Sequence, residues 1–162
     1  MGDLVERNDL YYEKFSDVPF SGKVTGKIQV TFKNGKKEGA WIRYWDNGQL
    51  LNEGNYKNGQ QEGAWVTYRE TGQLSGKVNF KNGKRDGARI WYYENGQLRF
   101  KSNFKSGKAE GAWVEYWDNG QLRFKGNYKN NKKEGARVSY NKDGTVDKGN
   151  TGTYKDGVKI SD

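Results

Sequence analysis

The feature that most constrains the fold of this chain is a sequence repeat with a period of 24 residues. Several residue types recur at this step, and the alanine of each repeat directly follows a glycine. The clearest columns are Ala40, Ala64, Ala88, Ala112 and Ala136, and Tyr44, Tyr68, Tyr92, Tyr116 and Tyr140. A period of this length predicts a stack of similar supersecondary units.

Within each repeat, fixed positions alternate with variable ones, which indicates a β-strand with two different faces. Ala40, Ile42 and Tyr44 stay similar in all copies, whereas the position of Trp41 becomes arginine in two of them. Glycine, with 23 residues, is too frequent for long helices. We therefore predict an all-β fold, an elongated, single, twisted antiparallel sheet built as a meander of stacked β-hairpin repeats.

Each repeat is predicted to contain two strands joined by a tight turn at Asp46, Asn47 and Gly48. A three-residue turn places Tyr44 opposite Leu50 and Ile42 opposite Asn52, so that all fixed positions share one face. This choice predicts a type I turn plus a bulge, with Gly48 in the left-handed conformation.

A second, longer connection is predicted over residues 57–63. Its acid, Glu62, recurs in every repeat. We interpret this acid as part of the turn chemistry rather than as a metal ligand or a catalytic group.

The predicted organisation is one repeat domain over residues 1–162. It consists of an N-terminal cap hairpin at 4–37, repeats at 38–61, 62–85, 86–109 and 110–133, and a degenerate last repeat with a C-terminal cap at 134–162. The start, Met1-Gly2-Asp3-Leu4, fits a bacterial cytoplasmic protein, or a periplasmic or secreted one whose N-terminal leader was removed. The sequence contains no stretch near the roughly 18 apolar residues of a membrane span.

The chain contains neither cysteine nor histidine, which excludes disulfides, thiolate zinc sites and imidazole catalysis. A hydrolase with paired carboxylates is disfavoured, because identical acids in identical surroundings cannot take the different pKa values that acid and base roles need. We predict no enzyme activity, no cofactor and no metal site.

The repeated unit Glu-Gly-Ala-Trp-Val-x-Tyr, followed by Gly-Gln-Leu and Asn-Tyr-Lys-Asn-Gly, resembles the MORN-type repeats, most closely the bacterial YwqK-type variant described as antitoxins. Residues 32–157 carry this resemblance. It implies stacked β-hairpins without catalytic residues, and a role as antitoxin, scaffold, or lipid- or protein-contact module. The family often has proline where all five copies here have alanine, which leaves open a designed or engineered scaffold with no native ligand.

The fixed face, with Ile42, Tyr44, Leu50 and Tyr56, is predicted to be buried. The opposite face is the predicted interaction face, because tryptophan and arginine dominate interface hot spots; the alternative is that these side chains only shield the sheet backbone from water. It comprises Trp41, Arg43, Trp45, Trp65, Arg89, Trp91, Arg99, Trp113, Trp117, Arg123 and Lys125. The same register predicts three cross-strand pairs on this face: Trp91 with Arg99, Trp113 with Lys125, and Glu115 with Arg123.

The predicted function is a non-catalytic, protein-binding module, antitoxin-like or scaffold, whose protein partner could be a toxin. The alternative is binding of an anionic surface (lipid, glycan or nucleic acid) through Lys, Arg and aromatic residues, since the formal net charge is +9. The excess of Lys and Arg could equally serve only the solubility of an open sheet. Open sheet edges are compatible with a monomer or an edge-to-edge homo-oligomer.

Overall fold

Strands and turns make up the described part of the chain, residues 4–162 of the computed structural model, which contains no helix there. This confirms the predicted all-β class. The strands are β1 (Leu4–Arg7), β2 (Leu10–Glu13), β3 (Gly22–Val24), β4 (Ile28–Lys33), β5 (Lys36–Tyr44), β6 (Leu50–Lys57), β7 (Gln60–Tyr68), β8 (Leu74–Lys81), β9 (Lys84–Tyr92), β10 (Leu98–Lys105), β11 (Lys108–Tyr116), β12 (Leu122–Lys129), β13 (Lys132–Ser139), β14 (Gly152–Lys155) and β15 (Val158–Ser161).

Strands β3 to β15 form one 13-stranded sheet in which neighbours follow the chain order, and β1 pairs with β2 in a separate two-stranded sheet. The predicted antiparallel meander of hairpin repeats is therefore confirmed. By its contacts, the chain divides into two compact units. The first ends at Gln73 and takes in Phe80–Gly83, and the second consists of Leu74–Asn79 and Lys84–Asp162.

The turn between the two strands of a repeat has the predicted three residues. The Trp45 amide donates to the Gln49 carbonyl over 2.7 Å, and Tyr44 lies opposite Leu50. Gly48 has a φ of 83°, a left-handed value that favours glycine. These observations confirm the predicted turn.

The connection between repeats is shorter than predicted. It is a two-residue turn, Asn58 (φ 51°) and Gly59 (φ 82°), and the next strand resumes at Gln60. Two consecutive positive φ values are typical of the type I′ hairpin turn. The two glycines of residues 57–63 do not belong to one long loop. Gly59 lies in the turn, whereas Gly63 (φ 70°) lies in a bulge inside β7.

A further bulge changes the predicted register beyond the three-residue turn. Arg43 pairs with Asn52 and Tyr44 with Leu50, so Leu51 is an extra residue on β6. Ile42 consequently lies opposite Glu53, and the predicted pairing with Asn52 is wrong. The predicted register opposites of Trp91, Trp113 and Glu115 are wrong for the same reason: these residues lie opposite Phe100, Gly126 and Phe124. The predicted ion pair of Glu115 with Arg123 is nevertheless formed, at 2.5 Å.

The bulges also decide which face is buried. They bring the Tyr56 column onto the same face as the Trp41 column, with ring centroids 5.7 Å apart. Trp65 is only 7% exposed, whereas Ile42, Tyr44 and Leu50 are half-buried. The prediction that the fixed face forms the interior and the tryptophans lie outside is therefore wrong for this part of the sheet. The most buried apolar residues are Val30, Phe32, Trp65, Phe100, Phe104, Ala109, Phe124 and Tyr154.

The recurring acid of each repeat holds the next hairpin in place. Glu62 accepts a hydrogen bond from the Asn82 amide over 2.8 Å, 20 residues further along. The adjacent Gly83 amide donates to the Gln61 carbonyl. The same acid-to-turn bond, here called the acid clasp, is made by Glu38 to Asn58, Asp86 to Ser106, Glu110 to Asn130, and Glu134 to Asp156. A carboxylate bond to a backbone amide is charge-assisted, so it is stronger than a neutral one.

Candidate binding surface

The two units differ in charge although they share the repeat. The first unit contains 11 Lys and Arg against 10 Asp and Glu, and the second contains 18 against 10. Their formal charges are thus +1 and +8. Almost the whole basic excess of the chain belongs to the second unit.

In the first unit, the tryptophans belong to an aromatic cluster in which they meet Tyr56 and Phe80 edge to face. Trp65 lies between Tyr56 and Phe80, with ring centroids at 5.2 and 6.3 Å. The indole covers Gly54, where a Cβ would overlap the ring. The Trp41 Nε1 donates to Asn52 Oδ1 over 2.8 Å. Both tryptophans are therefore used for packing, and Trp65 in particular lies inside the unit.

Two other tryptophans of the predicted interaction face connect neighbouring repeats by hydrogen bonds. Trp45 Nε1 donates to the Tyr68 carbonyl over 3.3 Å, and Trp117 Nε1 to the Tyr140 carbonyl over 3.1 Å. Tyr93, at the equivalent position, donates its hydroxyl to the Tyr116 carbonyl over 2.8 Å. These side chains are half-buried and support the three-residue turns.

In the second unit, four rings surround Trp113. The ring centroids of Phe100 and Phe104 lie 6.2 Å away, that of Phe124 lies 6.4 Å away, and that of Tyr128 lies 5.0 Å away. Unlike Trp41, Trp113 has a buried Nε1 that makes no hydrogen bond. The cluster is apolar packing of tilted rings around one indole.

Cationic side chains lie against the rings at the borders of this cluster. Arg89 lies 4.6 Å from the Phe100 centroid and 5.3 Å from that of Trp91, and Arg137 lies 3.8 Å from that of Phe124. Arg85 lies 4.3 Å from Phe104, and Lys133 lies 4.7 Å from Tyr154. Such stacking orients a cation and contributes about 0.5–1 kcal/mol at exposed sites.

Like charges surround these cations. Burial lowers the pKa of Arg89, and repulsion by Arg85 and Arg99 lowers it further. The pKa of Lys133 is lowered by burial and then by the charge of Arg137. The second unit thus gathers positive charge in partly desolvated positions.

The structure separates the remaining predicted residues from this group. Lys125 lies opposite Val114 and Val138, on the other side of the sheet from Trp113. Arg123 pairs with Glu115 at 2.5 Å and lies over Trp117, and Arg99 lies over Tyr93. Arg43 is exposed. Of the predicted face, the sheet brings together Arg89, Trp91 and Trp113.

Sequence reasoning missed Arg85, Lys133 and Arg137, which border the same cluster. Arg137 occupies the repeat position of Trp41, and this column could have revealed it. Arg137 also lines a pocket of about 300 Å³ together with Phe124, Ser139, Asp147 and Asn150. Its Nε donates to Ser139 Oγ over 3.3 Å.

Within residues 4–162, no group of three or more Asp or Glu side chains is placed so that it could hold a metal ion. In the same residues, no helix is long and apolar enough to cross a membrane.

A sheet assembled from hairpins of one repeated sequence defines a tandem β-hairpin repeat protein. The family model described as the MORN repeat variant matches residues 37–58, 61–82, 85–106 and 109–130, more than half of the chain. The chain belongs to this MORN repeat variant family, which confirms the resemblance inferred from the sequence. MORN repeats often serve in binding, and the family is generally non-enzymatic. No curated protein sequence matches the chain.

Two solved structures are similar to parts of the chain. The crystal structure of accessory secretory protein 1, 2 and 3 in Streptococcus pneumoniae shows 18% identity and a TM-score of 0.34, over 68% of this chain and 20% of that chain. The GtfA/B complex bound to UDP and GlcNAc shows 15% identity and a TM-score of 0.22, over 86% of this chain and 28% of that chain. The chain spans less than a third of either protein, and likeness at this level supports no conclusion about function.

Proposed function

We propose that this chain is a non-catalytic protein-binding module with an antitoxin-like or scaffold role. The observation that carries the proposal is the aromatic face of the second unit, where Arg89, Trp91 and Trp113 are half-buried and held by stacking. Tryptophan and arginine are the residue types that dominate interface hot spots. Side chains that are already oriented lose less conformational entropy when a partner binds.

The use of the acids supports the non-catalytic part of the proposal. The recurring carboxylates of five repeats are engaged in acid clasps to backbone amides. They have nearly identical surroundings, so they offer no acid and base of different pKa.

A second candidate function, contact with an anionic surface, is favoured by the lysines at the two-residue turns. Lys105 faces Lys108 and Lys129 faces Lys132, and all four are exposed. Like charges directly opposite each other are destabilising in a sheet. A contact of this kind depends on charge alone and is screened by salt.

The proposal is tested by immobilising the tagged chain and capturing protein from an extract of the source organism. We expect a partner at a constant molar ratio that persists through a wash at about 0.3 M salt, where the Debye length falls below roughly 8 Å. The control is the double variant Lys105→Gln and Lys129→Gln, which should capture the same partner. Recovery of no stoichiometric protein, or loss of capture in the control, would contradict protein binding as the function.

A further inference from the structure

Two columns of the repeat alternate between cationic and apolar side chains in successive repeats of the second unit. The positions of Arg85 and Arg89 are taken by Ala109 and Trp113 one repeat later, and by Lys133 and Arg137 two repeats later. These positions lie on β9, β11 and β13. A pair of cations therefore lies on each side of the apolar pair Ala109 and Trp113 of β11.

One side chain from each of five consecutive strands builds a continuous row. Arg89 lies over Phe100, whose ring centroid is 6.2 Å from that of Trp113. On the other side, the ring centroid of Phe124 is 6.4 Å from that of Trp113, and Arg137 lies over Phe124. From β9 to β13 the row crosses four strand spacings, about 19 Å. We call Arg89, Phe100, Trp113, Phe124 and Arg137 the arginine–tryptophan row.

Within the described part of the chain, the cations at both ends form no ion pair. Among residues 4–162, no carboxylate oxygen lies within 4.0 Å of a nitrogen of Arg85, Arg89, Lys133 or Arg137. Asp147 lines the same pocket as Arg137, but its carboxylate accepts hydrogen bonds from Asn150, which lower its pKa, and the Arg137 charge contributes to that lowering. Arg123, by contrast, is neutralised by Glu115. Partly desolvated guanidinium groups that form no ion pair are electrostatically unfavourable, so an external carboxylate in contact with them would be stabilised.

We infer that the arginine–tryptophan row binds an extended acidic segment of a partner protein, with a carboxylate at each end and an apolar side chain against Trp113. This inference rests on the proposed function and specifies the chemistry of its partner. An extended chain rises about 3.3 Å per residue, so acids about six residues apart match the two ends of the row. Arginine suits this role because its planar fork matches a carboxylate in two parallel hydrogen bonds.

The distribution of charge favours a peptide over a nucleic acid. A nucleic acid strand places a phosphate at about every 3.4 Å of helix rise. Phosphates between the two arginines would then lie over Trp113, where the row has no cation. A peptide with acids at its ends and apolar residues between them matches the row along its whole length.

The test uses the full chain and a fluorescein-labelled peptide of eight residues, with two aspartates at each end and Leu, Phe, Ala and Leu in the middle. Fluorescence anisotropy should show saturable binding. Arg89→Gln and Arg137→Trp should each raise the Kd by about tenfold or more, as expected for the loss of a charge-assisted bond. Tryptophan is the native residue at this column in Trp41, Trp65 and Trp113, and Gly126 lies beneath residue 137 as Gly54 lies beneath Trp65.

Three controls separate the row from charge in general. The double variant Lys105→Gln and Lys129→Gln removes two charges at the turns and should change the Kd less than about twofold, since exposed charges are screened. A peptide of the same composition with its acids in the middle should bind about tenfold more weakly, because its carboxylates miss the arginines. An unlabelled eight-nucleotide DNA strand should compete poorly.

The inference is overturned if binding of the peptide does not saturate below about 1 mM. A Kd of about 1 mM corresponds to only roughly 4 kcal/mol of binding free energy. The inference is equally overturned if the turn variant weakens binding as much as Arg137→Trp, or if the DNA competes best. Should Arg137→Trp unfold, Arg137→Lys keeps the charge but loses the planar fork and should still weaken binding severalfold. If Arg137→Trp still captures the stoichiometric partner from the extract, the row is wrong while protein binding stands.

Discussion

The two units use the same hairpin for different surfaces. In the first, the columns of Lys37 and Trp41 recur as Gln61 and Trp65, and the indoles close over Tyr56 and Gly54. In the second, the same columns carry Arg85 and Arg89, then Ala109 and Trp113, then Lys133 and Arg137, so cations lie on the rings on either side of one indole. The turns and acid clasps are alike in both. The turns and clasps thus fix the fold, and two variable columns set which cations lie on the aromatic rings: Lys37 in the first unit, and Arg85, Arg89, Lys133 and Arg137 in the second.

The largest expected difference between the units is in the free energy of unfolding that each loses when a glycine is replaced by alanine. Gly54→Ala places a methyl group inside the indole of Trp65, which must move, so we expect a loss of roughly 2–3 kcal/mol in the free energy of unfolding. In Gly126→Ala the nearest atom is the Arg137 Cβ at 3.3 Å, and we expect a loss below about 1 kcal/mol. Urea unfolding measures both. Equal losses would show that the two faces pack alike.

The acid clasps should be equivalent in the two units. Glu62→Ala and Glu110→Ala each leave a turn amide without its carboxylate, so each should lower the free energy of unfolding by about 1.5–3 kcal/mol. Hydrogen exchange of the Asn82 and Asn130 amides should accelerate in the respective variants. A variant that leaves its amide protected would show that the clasp does not hold the hairpin.

Replacing Ser102 should stabilise the second unit. It is fully buried opposite Arg89 and Trp113, and its hydroxyl makes no hydrogen bond. Ser102→Ala removes this unpaired group and should raise the free energy of unfolding by about 1 kcal/mol. Ser139→Ala is the matched control, because the equally buried Ser139 hydroxyl donates to the Asn150 carbonyl, and its removal should destabilise. Destabilisation by both variants would indicate that Ser102 has an unseen partner.

The smallest expected effect lies in the first unit at alkaline pH. Burial raises the pKa of Tyr11 to about 12, with further contributions from the hydrogen bond and charge of Glu6. An unfolded tyrosine ionises near pH 10, so the unfolded state releases its proton first and the stabilisation present below pH 10 is lost as the pH rises towards 12. Tyr11→Phe should flatten this decline in thermal unfolding curves. If the native chain and Tyr11→Phe lose stability equally with rising pH, the decline is caused by ionisation of groups other than Tyr11.

The repeat and its three-residue turn were predictable because a period of 24 and an Asp-Asn-Gly turn are local sequence patterns. The buried face was not, because it depends on bulges at Leu51 and Gly63. A bulge residue such as Leu51 has no distinctive sequence, and a left-handed glycine looks the same in a bulge and in a loop. Each bulge reverses the side-chain alternation, so one missed bulge exchanges inside and outside.

The same reversal explains why the candidate surface was predicted only in part. Trp113 and Arg89 were recognised from their residue types. Arg137 was not, although it shares their column, and Arg85 and Lys133 lie beyond a bulge that hides their common face with Trp113. Lys125 was included by the same register error and belongs to the other side of the sheet.

The acid clasp of each repeat extends one hairpin ahead and no further, as the bond from Glu62 to Asn82 shows. One 24-residue block could thus be added or removed while its neighbours keep their own bonds. Deleting the block that contains Trp113 would bring Arg89 and Arg137 closer by two strand spacings, about 10 Å. The number of repeats would then set the distance between the two terminal arginines, and with it the length of acidic segment that fits the proposed row.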